Sequence, residues 1–232
     1  MNKYEKAAAA AVALMLAAGA AIFFFAPTDY LQGPVQRIFY LHVSSAIAAY
    51  GCFAVVLVGG IIYLRSENVT ADRFARAGAV VGVVFTTVTL VMGMLWAKPI
   101  WNTFWTWDAR LTSTLVLWMI YAGYLLVRRL SDPGRQAARL AAVVGIFGFI
   151  DVPVVHFSVT WWRTQHPGPI IVNDALPPQM LAAFFFTLVC TLVLAAVMIA
   201  IRYRIEIVLD ASLNVSEPAK VIPAPREPEP AR

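Results

Sequence analysis

The sequence predicts an all-α integral membrane protein: six transmembrane helices, N- and C-termini in the cytoplasm, and a tryptophan-rich platform on the external side. Three observations predict it. Of the 232 residues, 60% are hydrophobic and only 13% are charged, about half the charged fraction of a soluble domain. The apolar residues gather in six long runs, each near the ~20 residues a helix needs to cross a ~30 Å hydrocarbon core. The basic residues divide unevenly among the segments that separate those runs.

Ala7 to Ala26 is the first run. Lys3 and Lys6 precede it, as in a signal peptide. Its length exceeds the roughly 7–15 residues of a signal core, and "AIFFFAPTDY" offers no small-residue cleavage site, so it reads as an uncleaved first span. Ile38 to Leu64 is the second, with His42 near its start. Ala77 to Trp96, Leu111 to Val127 and Leu140 to Val155 follow, the last interrupted by Asp151 and Pro153. Met180 to Ile201 is the sixth. The runs are continuous rather than alternating, which fits helices and not a membrane β-barrel. Residues 1–209 therefore read as one membrane domain. The remainder, 210–232, is rich in proline and glutamate and has too few apolar residues to bury, so it is expected to be a disordered cytoplasmic tail.

With six spans both termini share a side. That side collects fourteen Lys and Arg residues, among them Arg65, Arg73, Arg76, Arg128, Arg129, Arg135, Arg139, Arg202 and Arg204; the other has four, Arg37, Lys98, Arg110 and Arg163. The positive-inside rule places the termini in the cytoplasm. Topology thus accounts for the net charge of +5, which needs no nucleic-acid partner. Cys52 and Cys190 fall inside spans, and there is no Cys-x-x-Cys pair to suggest zinc or thiol–disulfide chemistry. No phosphate-cradling glycine loop and no Ser–His–Asp or Cys–His arrangement stands out.

The unusual polar chemistry lies on the predicted external side. "KPIWNTFWTWDARLT", within the loop at about 97–112, carries Trp101, Phe104, Trp105 and Trp107 next to Asp108 and Arg110. An interfacial aromatic belt accounts for Trp96 and Trp118, and Trp161 and Trp162 fit a belt or a site equally. The belt accounts poorly for so dense a cluster. If the loop is helical, Trp101, Phe104 and Trp105 fall at i, i+3 and i+4, with Trp107 and Asp108 extending that face into a flat aromatic shelf. Such a shelf suits a large planar ligand. His42, His156 and His166 share this side, and two histidines can hold a haem iron from above and below. Spacing alone does not choose between His156 and His166. Arg37, five residues before His42, and Arg110 are placed to pair with carboxylates such as haem propionates. A bare zinc site would want three or four ligands, and the histidine spacing fits no zinc motif.

"WNTFWTWDARLTS" resembles the signature of the WWD-domain haem-handling proteins, and "RIFYLHV", "WAKPIW" and "PVVHFSVTWWRTQHP" resemble the flanking segments of the CcmC family, the haem-handling component of bacterial cytochrome c maturation. The resemblance runs from about Phe25 to Arg204. It implies a multi-pass protein of the bacterial inner membrane, without catalytic turnover of its own. On the same resemblance its periplasmic loops are expected to bind haem b as cargo and pass it to the haem chaperone CcmE. The partners it implies are CcmA and CcmB, which hydrolyse ATP, and CcmD. It also implies His42 and His166 as axial ligands over the tryptophan platform. Two positions depart from the family pattern: Asn102 stands where glycine is frequent and Phe104 where tryptophan is frequent. A haem–thioether ligase subunit such as CcmF or CcsA has more spans and a further histidine pair. A membrane subunit of an ABC-type transporter exporting haem would need polar residues at mid-membrane depth. The chain offers there mainly Ser44, Ser45 and the threonines at 86, 87 and 89.

Overall fold

Helix α1 (Lys3–Ala20) starts at a capping box: the Asn2 side chain accepts from the amides of Tyr4 and Glu5, and the Glu5 carboxylate accepts from the Asn2 amide. Those contacts satisfy amides that a helix start otherwise leaves unpaired. In the computed structural model, which describes residues 2–131, 134–162, 164–166, 168 and 176–216, α1 continues into a π-helical turn over Ala21–Phe25. A turn of 3₁₀ helix over Pro34–Arg37 leads into α2 (Ile38–Ser66), followed by α3 (Val69–Trp101) and α4 (Ala109–Leu130). Then come α5 (Arg135–Phe149), α6 (Asp151–Trp161) and α7 (Pro178–Ser216). Six helical segments are long and apolar enough to cross a membrane, α5 and α6 together making the fifth. The interruption expected from Asp151 and Pro153 is the α5–α6 junction at Ile150. Proline has no amide to offer the carbonyl four residues back, here that of Phe149, the last residue of α5.

Helix α2 is the centre of the bundle and packs against α3, α5 and α7. With lipid outside as apolar as the helices, close backbone approach is the available source of packing energy. Glycines supply it: a Cβ on Gly59 would lie 2.7 Å from the Ala71 carbonyl oxygen, and one on Gly78 2.9 Å from that of Cys52. Deeper in the bundle the Phe53 and Tyr121 rings stack at 3.7 Å, and the Tyr121 hydroxyl donates to the Gly145 carbonyl at 3.0 Å.

The two ends of the bundle differ in chemistry. At the end holding both termini, Arg76 pairs with Asp72, Glu206 and Asp210, Arg73 with Asp210, and Arg128 with Asp72. Arg135 and Arg139 both bind Glu67 in the α2–α3 connection. This network sits at the expected boundary at 210. The chain stays helical to Ser216, because two guanidiniums hold the Asp210 carboxylate at 2.7 and 2.8 Å and a tertiary contact overrides local composition. Residues 217–232 of the expected tail lie outside the described residues. The opposite end carries the histidines and the tryptophan loop.

Candidate functional site

His42 sits in the second turn of α2, and its Nδ1 lies 2.9 Å from the Thr89 carbonyl oxygen of α3. A carbonyl can only accept, so Nδ1 carries the hydrogen and Nε2 keeps the lone pair. That is the state in which an imidazole ligates a metal. The His166 ring faces it, with ring centres 6.4 Å apart and planes inclined by 31°. His166 follows α6 in a turn where its amide donates to the Thr164 hydroxyl at 3.1 Å. Both rings are partly buried. Among the described residues no contact brings His156 to this pair: its exposed ring packs edge-on against Phe157 at 4.9 Å.

The tryptophan loop is not helical, which corrects the expected shelf. Helix α3 ends at Trp101, Asn102 takes a left-handed conformation with φ of 56°, and α4 begins only at Ala109. Asn102 supplies the turn that glycine makes most easily, because asparagine tolerates that region best among residues with a Cβ. Asp108 is the N-cap of α4, its side chain accepting from the Leu111 amide at 3.0 Å. The rings are therefore spread along a link between two caps. Trp105 and Trp107 meet edge-to-face at 5.6 Å, Phe104 lies 5.5 Å below the Lys98 ammonium, and Trp101 closes α3. Trp107 is 77% exposed and Phe104 51%, so both offer ring faces outward. The Trp105 indole nitrogen is buried and has no partner among the described residues.

The two arginines have separate surroundings. Arg110 donates to the His156 carbonyl at 2.7 Å, tying the start of α4 to α6. Arg37 reaches the Thr28 hydroxyl at 3.4 Å and lies over the Phe23 ring at 5.7 Å. Each keeps a buried Nε with no partner among the described residues.

Four contributors escape the sequence. Thr89 supplies the carbonyl for His42, and Gly93 leaves room for the ring. Trp96, assigned to a lipid belt by its position, instead packs edge-on against His42 at 5.8 Å and donates its indole N–H to Gln32 at 2.9 Å. The partners come from segments far apart in sequence. The one local signal is a glycine in a helix interior, where it costs about 1 kcal/mol relative to alanine.

Fold and site together define the class: a polytopic helical membrane protein with an exposed tryptophan-rich loop beside a histidine pair at one end of its bundle. The chain belongs to the family described as Heme exporter protein C, whose model matches residues 2–215. It is 39% identical over 187 residues to Heme exporter protein C of Escherichia coli (strain K12), covering 81% of this chain and 76% of the relative. It is 38% identical over 180 residues to Heme exporter protein C of Bradyrhizobium diazoefficiens, covering 74% and 68%. A putative cytochrome c biosynthesis ccmC-like mitochondrial protein of Marchantia polymorpha is 37% identical over 170 residues, covering 69% and 72%.

Proposed function

We propose that this protein handles haem for cytochrome c maturation: it holds haem b as cargo between His42 and His166, against the tryptophan loop, and transfers it to the haem chaperone CcmE. The observation that carries the reading is the 6.4 Å between the two imidazole centres. A metal–imidazole bond of about 2 Å, with the ring centre about 1 Å beyond the nitrogen, asks for roughly 6 Å between two rings on opposite sides of one metal. The tautomer of His42 supports it, since Nε2 is the free nitrogen. The outward faces of Phe104 and Trp107 supply stacking surface for a planar macrocycle. Trp101 and Trp105 frame the loop, and Asp108 fixes it to α4. Arg37 and Arg110 each bring a guanidinium to this end of the bundle that can pair with a propionate.

The protein does not itself turn over a substrate. It works in the inner membrane with its histidine end on the periplasmic side, beside CcmA, CcmB and CcmD. ATP hydrolysed by CcmA and CcmB drives release of the loaded chaperone. The competing reading, a conduit that exports haem through the bilayer, draws on the exporter description of the relatives. It gains little from the mid-membrane threonines, because Thr86 and Thr89 bond carbonyls of their own helix and Thr87 also receives Trp118.

The test is the absorption spectrum of the detergent-purified protein beside His42→Ala, His166→Ala and His156→Ala. The expected result is a Soret band with a six-coordinate spectrum in the parent and in His156→Ala, lost in the other two. A parent-like spectrum in His42→Ala or His166→Ala would overturn the ligand assignment. Haem transport into vesicles that persists without either histidine would favour the conduit.

A further inference from the structure

We infer that Gln32, Gly93 and Trp96 form a seat that positions His42 for its cargo: Gly93 clears space for the ring, Trp96 stops it rotating, and Gln32 locks Trp96. The inference rests on the reading of His42 as a haem ligand.

The argument begins at the Thr89 carbonyl. In an α-helix that oxygen is the regular acceptor for the amide four residues on, which is Gly93. His42 bonds the same oxygen at 2.9 Å, using its second lone pair. The imidazole must therefore approach the backbone of α3 beside residue 93. A Cβ there would lie 3.0 Å from Cε1 and 3.5 Å from Nδ1 of His42. The first distance is too short for an unstrained contact, so even alanine would move the ring. Glycine weakens a helix interior, and clearance for His42 is what it provides in return.

One turn further along α3, Trp96 meets the His42 ring edge-on at 5.8 Å with planes at 74°, and meets Phe39 at 6.2 Å. Its own orientation is set by the 2.9 Å hydrogen bond from its indole N–H to Gln32 Oε1. Gln32 is anchored in turn. It belongs to a tight turn in which Asp29 Oδ1 accepts from the amides of Leu31 and Gln32 at 2.9 and 2.7 Å, and the Gly33 amide donates to the Asp29 carbonyl at 3.0 Å. Gly33 closes that turn at φ of 62°. A rigid turn outside the spans thus fixes the ring wall beside a ligand inside one. Outer-shell partners of ligating histidines commonly govern affinity by about 10–100-fold.

The test uses the full-length protein in detergent, as Gly93→Ala, Gln32→Ala and Gln32→Glu, with His42→Ala as reference. Haem affinity is read by titration and coordination by absorption and electron paramagnetic resonance. Gly93→Ala and Gln32→Ala should each lose about 10–100-fold in affinity, and haem that remains should become five-coordinate. Added imidazole should restore the six-coordinate spectrum in both. Gln32→Glu keeps an acceptor for the indole and should match the parent. If His42→Ala binds haem like the parent, the haem-ligand reading fails. If His42→Ala loses haem while Gly93→Ala and Gln32→Ala behave like the parent, the seat alone is wrong. Equal impairment of Gln32→Ala and Gln32→Glu, without rescue by imidazole, would also overturn it in favour of a general packing role.

Discussion

Asn102 decides where α3 stops. At φ of 56° it occupies a region that costs an ordinary L-residue roughly 1–2 kcal/mol, and its own carbonyl and side-chain oxygen accept from the Lys98 ammonium at 3.1 and 3.2 Å. Both partners of that clasp lie at the edge of the aromatic loop. Asn102→Ala should therefore lower stability by about 1 kcal/mol, while Asn102→Gly should be neutral within a few tenths. Thermal unfolding in detergent measures the difference, and an Asn102→Ala protein as stable as the parent would mean that the loop does not depend on this turn. The residue types of the site were readable from the chain: ring-rich loop, adjacent carboxylate and guanidinium, histidines on the same side. The loop's conformation was readable less well. A helical register through Trp101, Phe104 and Trp105 gives an attractive face, but Asn102 is a left-handed C-cap and Asp108 an N-cap, and two caps six residues apart leave no helix between them.

Helices interior to a bilayer announce themselves, because the length and polarity of each span answer to the membrane rather than to its neighbours. All six appear where the apolar runs lie, and Pro153 marks the break in the fifth. Helix ends are another matter. Glu206 is 3% exposed and its charge is tolerable only because Arg76 and Arg202 hold it. No local pattern distinguishes such a residue from an ordinary interfacial glutamate, which is why α7 outruns its apolar stretch. The same blindness hides His42 and Thr89, 47 residues apart. Arg76 is the hub that joins α3 to α7, and removing one member of a buried pair costs about 3–5 kcal/mol because the other charge is stranded. Arg76→Leu should destabilise the bundle by about that amount. The double variant Arg76→Leu, Glu206→Leu should recover part of it. Stability curves for the two, taken in one detergent, check this, and an Arg76→Leu loss below about 1 kcal/mol would show that water or lipid headgroups screen the network.

Across the whole molecule, charge and aromaticity occupy opposite ends. Ion pairs knit α3, α4, α5, α7 and the α2–α3 connection at the end that holds the termini, while the other end presents two imidazoles, an indole wall and a loop of exposed rings. The division makes orientation testable. The cationic end should face the cytoplasm and the histidine end the periplasm. Both native cysteines are buried, so labelling of introduced ones starts from a low background. Tyr30 is 98% exposed in the α1–α2 connection at the histidine end, and Thr70 is exposed in the first turn of α3 at the other. With a membrane-impermeant maleimide applied to spheroplasts, Tyr30→Cys should label at once and Thr70→Cys only after the membrane is permeabilised. The reverse pattern would put the histidine pair on the cytoplasmic side, where it could not meet a periplasmic acceptor, and the proposed direction of haem transfer would fall with it.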